Sequence, residues 1–340
     1  MSKSAILLRF TNGTLFAVII LLTLTGLYGL VWPMPGWMFD LHRIAAWAVV
    51  GLLPWKGVII FRSLKRGLDK RFIRSVVVVL SLVLAAWTVL VFGLAVFWAW
   101  TPGVERTWLY QTALSWHWYL ALGLLVPFIF HVWQKWPRPR PADFTSRRSA
   151  LKLIGVGAAA VALWGVAEWI AKFREDPEQP RRPTGSKETN SMEGMTFPVN
   201  MMVGEGVLRI DKATWTFAVK GAVTKPLSMN YEEILAQATS EIIATLDCTD
   251  GWYTTQAWQG VMLTDLFAQA EIKPNAKGFI LRAVSGYAAI FTMAEAEEIM
   301  LSTHVGRQVY DHWHGFPLRA VVPSRRGWQW VKWLVEVEVI

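Results

Sequence analysis

The 340-residue sequence contains a single cysteine, Cys248, which directly follows the apolar run 242–246. A single thiol forms no internal disulfide and no multi-cysteine zinc site. Three roles therefore stay open: a buried inert thiol, a nucleophile, or one thiolate ligand to a metal. A polar turn after a strand is a usual way to deliver a side chain to a pocket. The residues around the cysteine are of that polar kind: Asp247, Thr249, Asp250 and Gly251.

Composition divides the chain into an apolar, basic half and a more polar, acidic half. The length of 340 residues suggests two domains. A hydrophobic fraction of 54% and 21 tryptophans are unlike the composition of an average soluble protein. Residues 1–174 carry 19 Lys and Arg against 5 Asp and Glu, whereas residues 175–340 carry 15 against 20. The net charge of +9 therefore lies entirely in the apolar half. This distribution argues against a nucleic-acid-binding surface and favours membrane topology as its cause.

The apolar half contains five segments that are long enough to cross a bilayer, which takes about 20 residues each. They are Leu8–Trp32, Leu41–Leu64, Phe72–Trp100, Ala113–Trp136 and Ala150–Phe173. The loops after the second and fourth segments are rich in Lys and Arg, whereas the other two loops contain only Arg106. Excess Lys and Arg marks the cytoplasmic side, so we expect a cytoplasmic N-terminus and an outward fifth span. The prediction is a multi-pass inner-membrane protein with residues 175–340 on the periplasmic side.

Three histidines lie in these segments, His42, His117 and His131. A polar side chain in a membrane is costly and usually faces the bundle interior with a partner. His42 and His117 lie near the outer ends of two segments that run in the same direction, so we expect them to clamp one b-type haem. His131 lies about 21 Å further along its helix, where a second haem would lack a second histidine from the first three segments. The alternatives are interfacial histidines and spans that only anchor the protein.

The four-span region Leu8–Trp136 resembles the b-type cytochrome membrane subunits of bacterial oxidoreductases in its number of spans and the depth of its histidines. The resemblance implies haem b as a cofactor, and quinol or another respiratory-chain component as a partner. The unpaired His131 departs from the two-haem pattern of that family. We assign this four-span domain to residues 1–140.

A short polar motif precedes the fifth span: Ser146-Arg147-Arg148-Ser149-Ala150-Leu151-Lys152-Leu153. Paired arginines at this place can be simple positive-inside charge. Their order with serine, leucine and lysine nevertheless resembles a twin-arginine export signal, which implies the twin-arginine translocase as a partner and a cofactor loaded before export. Because the motif is internal, residues 141–174 would act as an anchor rather than a cleaved peptide. Residues 175–194 are rich in Pro, Glu, Arg and Ser, which predicts a flexible linker.

From Met195 onward, short β-rich runs with turn signals predict a mixed α+β domain over residues 195–340. The predicted strands are Trp215–Val219, Glu241–Leu246, Gly278–Val284, Leu318–Val322 and Trp333–Ile340, and the helices are Tyr231–Ala238 and Leu263–Ala270. The predicted fold class is thus an all-α transmembrane bundle of four spans plus a fifth anchoring span, followed by this α+β domain.

Three sets of residues in this domain keep a recognisable order: Phe197-Pro198-Val199-Asn200; Cys248-Thr249-Asp250-Gly251-Trp252 with Trp258-Gln259-Gly260-Val261; and His314-Gly315-Phe316-Pro317-Leu318-Arg319 with Val322-Pro323, Gly327 and Trp330-Val331-Lys332-Trp333-Leu334. This pattern resembles the sulfite-oxidase superfamily of molybdopterin enzymes, including its exported sulfoxide-reductase-like branch. The resemblance implies Mo-molybdopterin as the cofactor and Cys248 as a thiolate ligand to molybdenum. It also implies pterin contacts, namely Asn200, His314, Arg319, Trp330, Val331 and Lys332.

Two residues near the cysteine bear on the substrate, Asp250 and Tyr287. Sulfite oxidases place an arginine-bearing segment directly after the cysteine to receive an anion, whereas Asp250 would repel sulfite or nitrate. The sulfoxide-reductase branch has a carboxylate at the matching place, although its acid is glutamate. Asp250 either carries the proton that oxygen-atom reduction requires or caps the turn. Tyr287 lies where sulfite oxidases keep a tyrosine near the metal.

The sequence therefore predicts a membrane-anchored molybdenum oxidoreductase that performs two-electron oxygen-atom transfer. Its expected reaction is reduction of a sulfoxide, or of another small S- or N-oxide, with electrons from the quinone pool through haem b. One alternative is oxidation of a small sulfur compound, with electrons passed to haem and quinone. Another is a non-catalytic electron-transfer or anchoring subunit whose outer domain holds no metal.

Overall fold

The computed structural model describes residues 3–67, 72–105, 108–135, 138, 140–174, 181–199 and 206–340. The chain forms two compact units, one of residues 1–29 and 34–185 and the other of residues 186–340 with 30–33. The described part of the first unit contains five long helices: α1 (Lys3–Val31), α2 (Gly36–Gly67), α3 (Phe72–Trp100), α4 (Ala113–Lys135) and α5 (Arg147–Arg174). The predicted layout, five apolar helices followed by a domain with mixed sheets, is confirmed.

All five helices are long and apolar enough to cross a membrane. Their outward-facing side chains are large and hydrophobic, with Val126 exposed to 73%, Trp133 to 79% and Phe173 to 83%. A water-soluble bundle would bury such side chains, whereas a lipid-facing surface requires them. The composition of the exposed surface therefore agrees with membrane insertion.

Helix α5 packs into the helical unit and is more than a separate anchor. Glu168 on α5 forms an ion pair with Arg43 on α2, and Nε1 of Trp100 on α3 donates to the Ala167 carbonyl at 3.3 Å. Charged groups in an apolar bundle need a partner. The Glu168–Arg43 pair therefore fixes α5 against α2, one residue from His42.

The described residues of the second unit form eleven strands, arranged in two sheets, and two short α-helices. The six-stranded sheet comprises β1 (Lys187–Glu188), β4 (Ser240–Asp247), β5 (Trp252–Met262), β8 (Met300–Val305), β9 (Gln308–Val309) and β10 (Arg319–Val321). Strand β5 is its centre, because β4 pairs antiparallel along its length, β8 pairs with its second half and β1 lies parallel to its start. This β4–β5 hairpin carries Cys248 at its tip.

The five-stranded sheet has the order β3-β2-β11-β6-β7. Its strands are β2 (Thr216–Gly221), β3 (Leu227–Asn230), β6 (Gly278–Ala283), β7 (Ala288–Thr292) and β11 (Leu334–Val339), and the helices are α6 (Tyr231–Gln237) and α7 (Leu263–Ala270). Phe267 of α7 packs edge-on against Phe279 of β6, with ring centres 5.3 Å apart. The predicted strands and helices differ from these bounds by two residues at most, because alternating burial leaves a clear period of two in the sequence.

The structure differs from the predicted flexible linker, residues 175–194, in its second half. Residues 175–180 lie outside the described residues, but β1 pairs with the start of β5. The Ser191 hydroxyl oxygen accepts from the Thr255 N–H at 2.9 Å, and the Gly194 N–H donates to Gln256 Oε1 at 3.1 Å. The polar composition predicted exposure, yet these polar groups satisfy an otherwise open edge of β5. The second compact unit therefore includes residues from Ser186 onward, nine positions before the predicted start at residue 195.

Candidate active site

Cys248 lies in the tight turn between β4 and β5. Its backbone N–H donates to the Trp252 carbonyl at 2.8 Å, and the Gly251 N–H donates to the Cys248 carbonyl at 3.1 Å. Gly251 has a φ of 90°, in the region that favours glycine. The side chain of Cys248 is buried, with 6% of the residue exposed. The turn thus presents the thiol to the interior of the domain.

Replacing Gly251 with alanine should destabilise this turn, because a Cβ at a positive φ is strained. We expect the free energy of unfolding to fall by about 1–2 kcal/mol, which thermal unfolding of the full-length protein would detect as a lower midpoint. Gly206→Ala is the matched control, since no described atom lies within 4 Å of its added Cβ. A wild-type midpoint for Gly251→Ala would contradict the described turn.

The surroundings of Cys248 disfavour one of the roles that the sequence left open, the nucleophile. Burial, followed by the Asp250 and Asp247 carboxylates, raises the pKa of the Cys248 thiol to about 12. These effects outweigh the Asp250 backbone N–H and Arg326, which lower the pKa. A thiol with this pKa stays protonated at neutral pH and is a poor nucleophile. A metal ion deprotonates a coordinating thiol outright, so the environment suits a metal ligand better than a nucleophile.

Arg326 is a site residue that the sequence reasoning missed. It is 4% exposed, and its Nη1 and Nη2 atoms donate at 2.9 Å to Asp247 Oδ1 and to the Cys248 carbonyl, respectively. Asp247 Oδ1 also accepts a hydrogen bond from the Ser186 hydroxyl at 2.6 Å. The signal in the sequence is weak: an acid directly before the cysteine and, far along the chain, a pair of arginines directly before Gly327.

Close packing explains why the C-terminal pattern has a glycine at position 327. A Cβ added there would lie 3.1 Å from Cys248 Cα and 3.0 Å from Leu246 Cδ1. Tyr287 reaches the same loop, because its hydroxyl donates to the Trp328 carbonyl at 2.9 Å. The structure therefore brings the loop that binds Tyr287 against the backbone of Cys248.

Arg319, one of the residues predicted to contact the pterin, is a buried cation. Its Nη1 donates to the His314 carbonyl at 3.1 Å, and its guanidinium lies 5.5 Å from the centre of the Trp258 ring. Burial lowers the pKa of Arg319, an effect that Tyr310 and Cys248 oppose. Its Nε has no hydrogen-bond partner among the described residues. A buried guanidinium requires a compensating anion, and an anionic cofactor would supply one.

His314 and Lys332 flank Arg319. His314 Nδ1 lies 2.7 Å from Asp311 Oδ1, and its Nε2 lies 3.2 Å from the Phe197 carbonyl. The side chain of Lys332 packs against Gly315, where an added Cβ would lie 3.1 Å from the lysine Cβ. Asn200, the remaining side chain predicted to contact the pterin, lies outside the described residues.

Trp330 and Val331 are buried and connect this loop to the sheets. The Val331 carbonyl accepts from the Ala320 N–H at 2.8 Å, and the Trp330 ring packs edge-on against Trp258 at 5.3 Å. The fully buried Asp250 lies two residues after Cys248. Four of the predicted residues, His314, Arg319, Trp330 and Val331, are therefore buried, with Trp258 of β5 packed between Arg319 and Trp330, whereas Lys332 is half-buried.

His42 and His117 lie next to each other in the helical unit, with ring centres 6.4 Å apart and planes at 78°. Helix α2 begins at Gly36, so His42 lies inside a helix rather than at its edge as the sequence indicated. His117 Nδ1 donates to the Val91 carbonyl at 2.8 Å. His42 Nδ1 lies 2.7 Å from the Thr25 hydroxyl oxygen, and that hydroxyl donates to the Leu21 carbonyl at 2.8 Å. Each Nδ1 therefore carries the proton, which leaves each Nε2 as an acceptor.

The spacing of this pair would suit two imidazole ligands to one metal ion. A metal–imidazole bond is about 2 Å long, as for zinc, and the ring centre lies about 1 Å further on. Two imidazoles on opposite sides of one metal therefore have centres roughly 6 Å apart. His131 lies on α4, 14 positions after His117, and its role in a second haem stays a prediction.

Comparisons with known proteins place the C-terminal part of the chain in a family and identify relatives of the chain. Residues 204–340 match the family described as "Oxidoreductase molybdopterin binding domain". The chain is 30% identical over 170 residues to the uncharacterized oxidoreductase YuiH of Bacillus subtilis (strain 168), covering 49% of this chain and 82% of that protein. It is 25% identical over 238 residues to the protein-methionine-sulfoxide reductase catalytic subunit MsrP of Gluconobacter oxydans (strain 621H), covering 61% of this chain and 75% of that protein.

A solved structure also matches, the sulfane dehydrogenase SoxCD from Paracoccus pantotrophus. The identity is 25% and the TM-score is 0.38, over 39% of this chain and 40% of that chain.

The outer domain is thus an oxidoreductase domain of the sulfite-oxidase type. The chain belongs to the molybdopterin-binding oxidoreductase family, and the protein is an enzyme of that class.

Proposed function

We propose that the protein reduces a sulfoxide by two-electron oxygen-atom transfer, with electrons that pass from quinol through haem b in its helical unit. The observation that carries the choice of substrate is Asp250, a fully buried acid two residues after Cys248. A buried negative charge disfavours sulfite and other anions, whereas a neutral oxide is not repelled. The similarity to a protein-methionine-sulfoxide reductase supports a methionine sulfoxide as the substrate.

The described residues fit Mo-molybdopterin. When bound, this cofactor supplies the oxygen-atom transfer, and the protein positions and tunes it. Cys248 would hold the metal, since soft sulfur ligands suit it, and Arg319 would neutralise the anionic cofactor. The further pterin contacts that we propose are Asn200, His314, Trp330, Val331 and Lys332.

The protein must also deliver protons to the oxygen that leaves the sulfoxide. Reduction of a sulfoxide consumes two electrons and two protons and yields a sulfide and water. Asp250 is the proposed proton carrier: its carboxylate, which disfavours anionic substrates, takes up a proton and passes it to the departing oxygen as a general acid. The Tyr287 hydroxyl is proposed as a second polar group of the active site, after Asp250. Its hydrogen bond to the Trp328 carbonyl holds it in place.

The helical unit is proposed to carry one haem b on His42 and His117. Support comes from the spacing of their rings and from hydrogen bonds that leave both Nε2 atoms as acceptors. Metal-bound histidines usually donate their other N–H to an oxygen in this way. Quinol from the membrane is the proposed electron donor.

The proposed localisation is the inner membrane, with the outer domain exported by the twin-arginine translocase. Arg147 and Arg148 are exposed in the first turn of α5, and the Ser149 N–H donates to the Ser146 hydroxyl oxygen at 3.1 Å. Positive charge at a helix N-terminus is unfavourable to the helix dipole. Helix stability therefore does not account for the pair, which supports an export or topological signal.

The proposed function is tested by molybdenum analysis and by steady-state assays of the full-length protein in both directions. We expect about one molybdenum per chain, as one cysteine ligand allows, and faster quinol-dependent sulfoxide reduction than sulfide oxidation. Faster oxidation of a sulfur compound would reverse the proposed direction. A metal-free outer domain with an alkylatable Cys248 would identify a non-catalytic subunit.

Replacing Thr25 with valine should raise the midpoint potential of the haem. His42 would lose the acceptor for its Nδ1 proton and become a weaker donor to ferric iron. The expected rise is on the order of tens of millivolts, because one hydrogen bond is worth about 1 kcal/mol. A redox titration of the purified protein measures it. Thr23→Val is the matched control, since the Thr23 hydroxyl donates to the Ile19 carbonyl at 2.9 Å in the same helix. Equal potentials in both variants would contradict this role of Thr25.

A further inference from the structure

The Cys248 turn is held at both of its ends by residues outside the hairpin. On one side, the Lys187 N–H donates to the Gly251 carbonyl at 2.8 Å. On the other, the Ser186 hydroxyl donates to Asp247 at 2.6 Å. Ser186 and Lys187 are the first residues of the outer domain. The segment through which the chain enters this domain is therefore part of the structure around the cysteine.

Arg326 completes this arrangement from the C-terminal loop. Its ion pair with Asp247 is almost fully buried, with side-chain exposures of 5% and 4%. A buried ion pair adds little stability relative to apolar packing, and its better-attested use is to fix one conformation. Here the same guanidinium also binds the Cys248 carbonyl, so the conformation that it fixes is that of the cysteine itself.

We infer that Ser186, Asp247 and Arg326 are positioning residues that set the orientation of Cys248 as a ligand to molybdenum. This inference rests on the proposed function, because it takes Cys248 as the metal ligand. The network reaches the cysteine through its backbone, at the Cys248 carbonyl and the preceding Asp247. Residues that orient a ligand in this way tune the metal as well as hold it.

The test compares two neighbouring arginines in the full-length protein. Arg326→Met removes both bonds to the cysteine turn, whereas Arg325→Met removes an ion pair with Glu295 at 2.6 Å, also largely buried. The readout is the electron paramagnetic resonance spectrum of Mo(V) after partial reduction. We expect Arg326→Met to shift its g-values and to lower the turnover number roughly 10- to 100-fold. Ser186→Ala should shift the spectrum in the same direction but less, and Arg325→Met should keep the wild-type spectrum.

The outcomes separate this inference from the proposed function. A wild-type protein without molybdenum would contradict the proposed function, and with it the inference, because Cys248 would then have no metal to bind. A wild-type Mo(V) signal that is unchanged in Arg326→Met and Ser186→Ala would overturn the inference alone. If Arg326→Met does not accumulate as folded protein, Ser186→Ala decides: a shifted spectrum supports the positioning role, and an unshifted spectrum overturns it.

Discussion

Replacing Cys248 with serine should abolish sulfoxide reduction and release molybdenum from the purified protein. Serine keeps the size of the side chain but offers a hard, weakly acidic hydroxyl in place of a soft thiolate. Loss of an outer-shell partner costs about 10- to 100-fold, so loss of the ligand itself should cost at least roughly 100-fold. Metal analysis and a quinol-dependent assay of the full-length protein measure both effects.

Thr245→Ser provides the matched control in the same hairpin. The Thr245 hydroxyl bonds to that of Thr255 at 2.8 Å, and serine retains this group. The control should keep its molybdenum and its activity. If Cys248→Ser also kept both, the cysteine would be an inert buried thiol, the first of the roles that its sequence context left open.

Replacing His42 or His117 with alanine should remove the b-type absorption band of the reduced protein. Both histidines are proposed to hold the haem, and either variant would lose one of these two protein ligands. The variants should also lose quinol-dependent sulfoxide reduction. They should keep reduction by an artificial donor that reaches the outer domain directly, because that domain contains its own cofactor residues.

His131→Ala is the control that separates one haem from two. If a single haem is bound between His42 and His117, this variant keeps the full band. A halved band would place a second haem at His131. An unchanged band in all three variants, or no band in the wild type, would mean that the helices only anchor the enzyme.

The predictable parts of the fold are those that depend on local pattern. The five spans follow from the length of their apolar runs. Strand β4 and the hairpin turn follow from an apolar segment that ends at Asp247. Helix α2 begins at Gly36, five residues before the start of the predicted segment at Leu41, so His42 lies further inside the helix than expected.

The residues that sequence reasoning did not find are those whose roles depend on distant contacts. Ser186 lies in a segment with the composition of a linker, and only its pairing beside β5 reveals its partner Asp247. Arg326 lies 78 positions from the cysteine whose carbonyl it binds. A single sequence carries no information on such pairs, whereas the recurring pattern around Arg319 was visible as a family resemblance.

The most direct test of the account is to follow the haem while a sulfoxide is added. The full-length protein is reduced anaerobically with quinol, and methionine sulfoxide is then added while the b-type band is recorded. The account predicts that the wild-type haem is reoxidised and that the haem of Cys248→Ser stays reduced. A wild-type haem that stays reduced, or one that is reoxidised equally in Cys248→Ser, would contradict electron transfer from quinol through haem to a molybdenum site at Cys248.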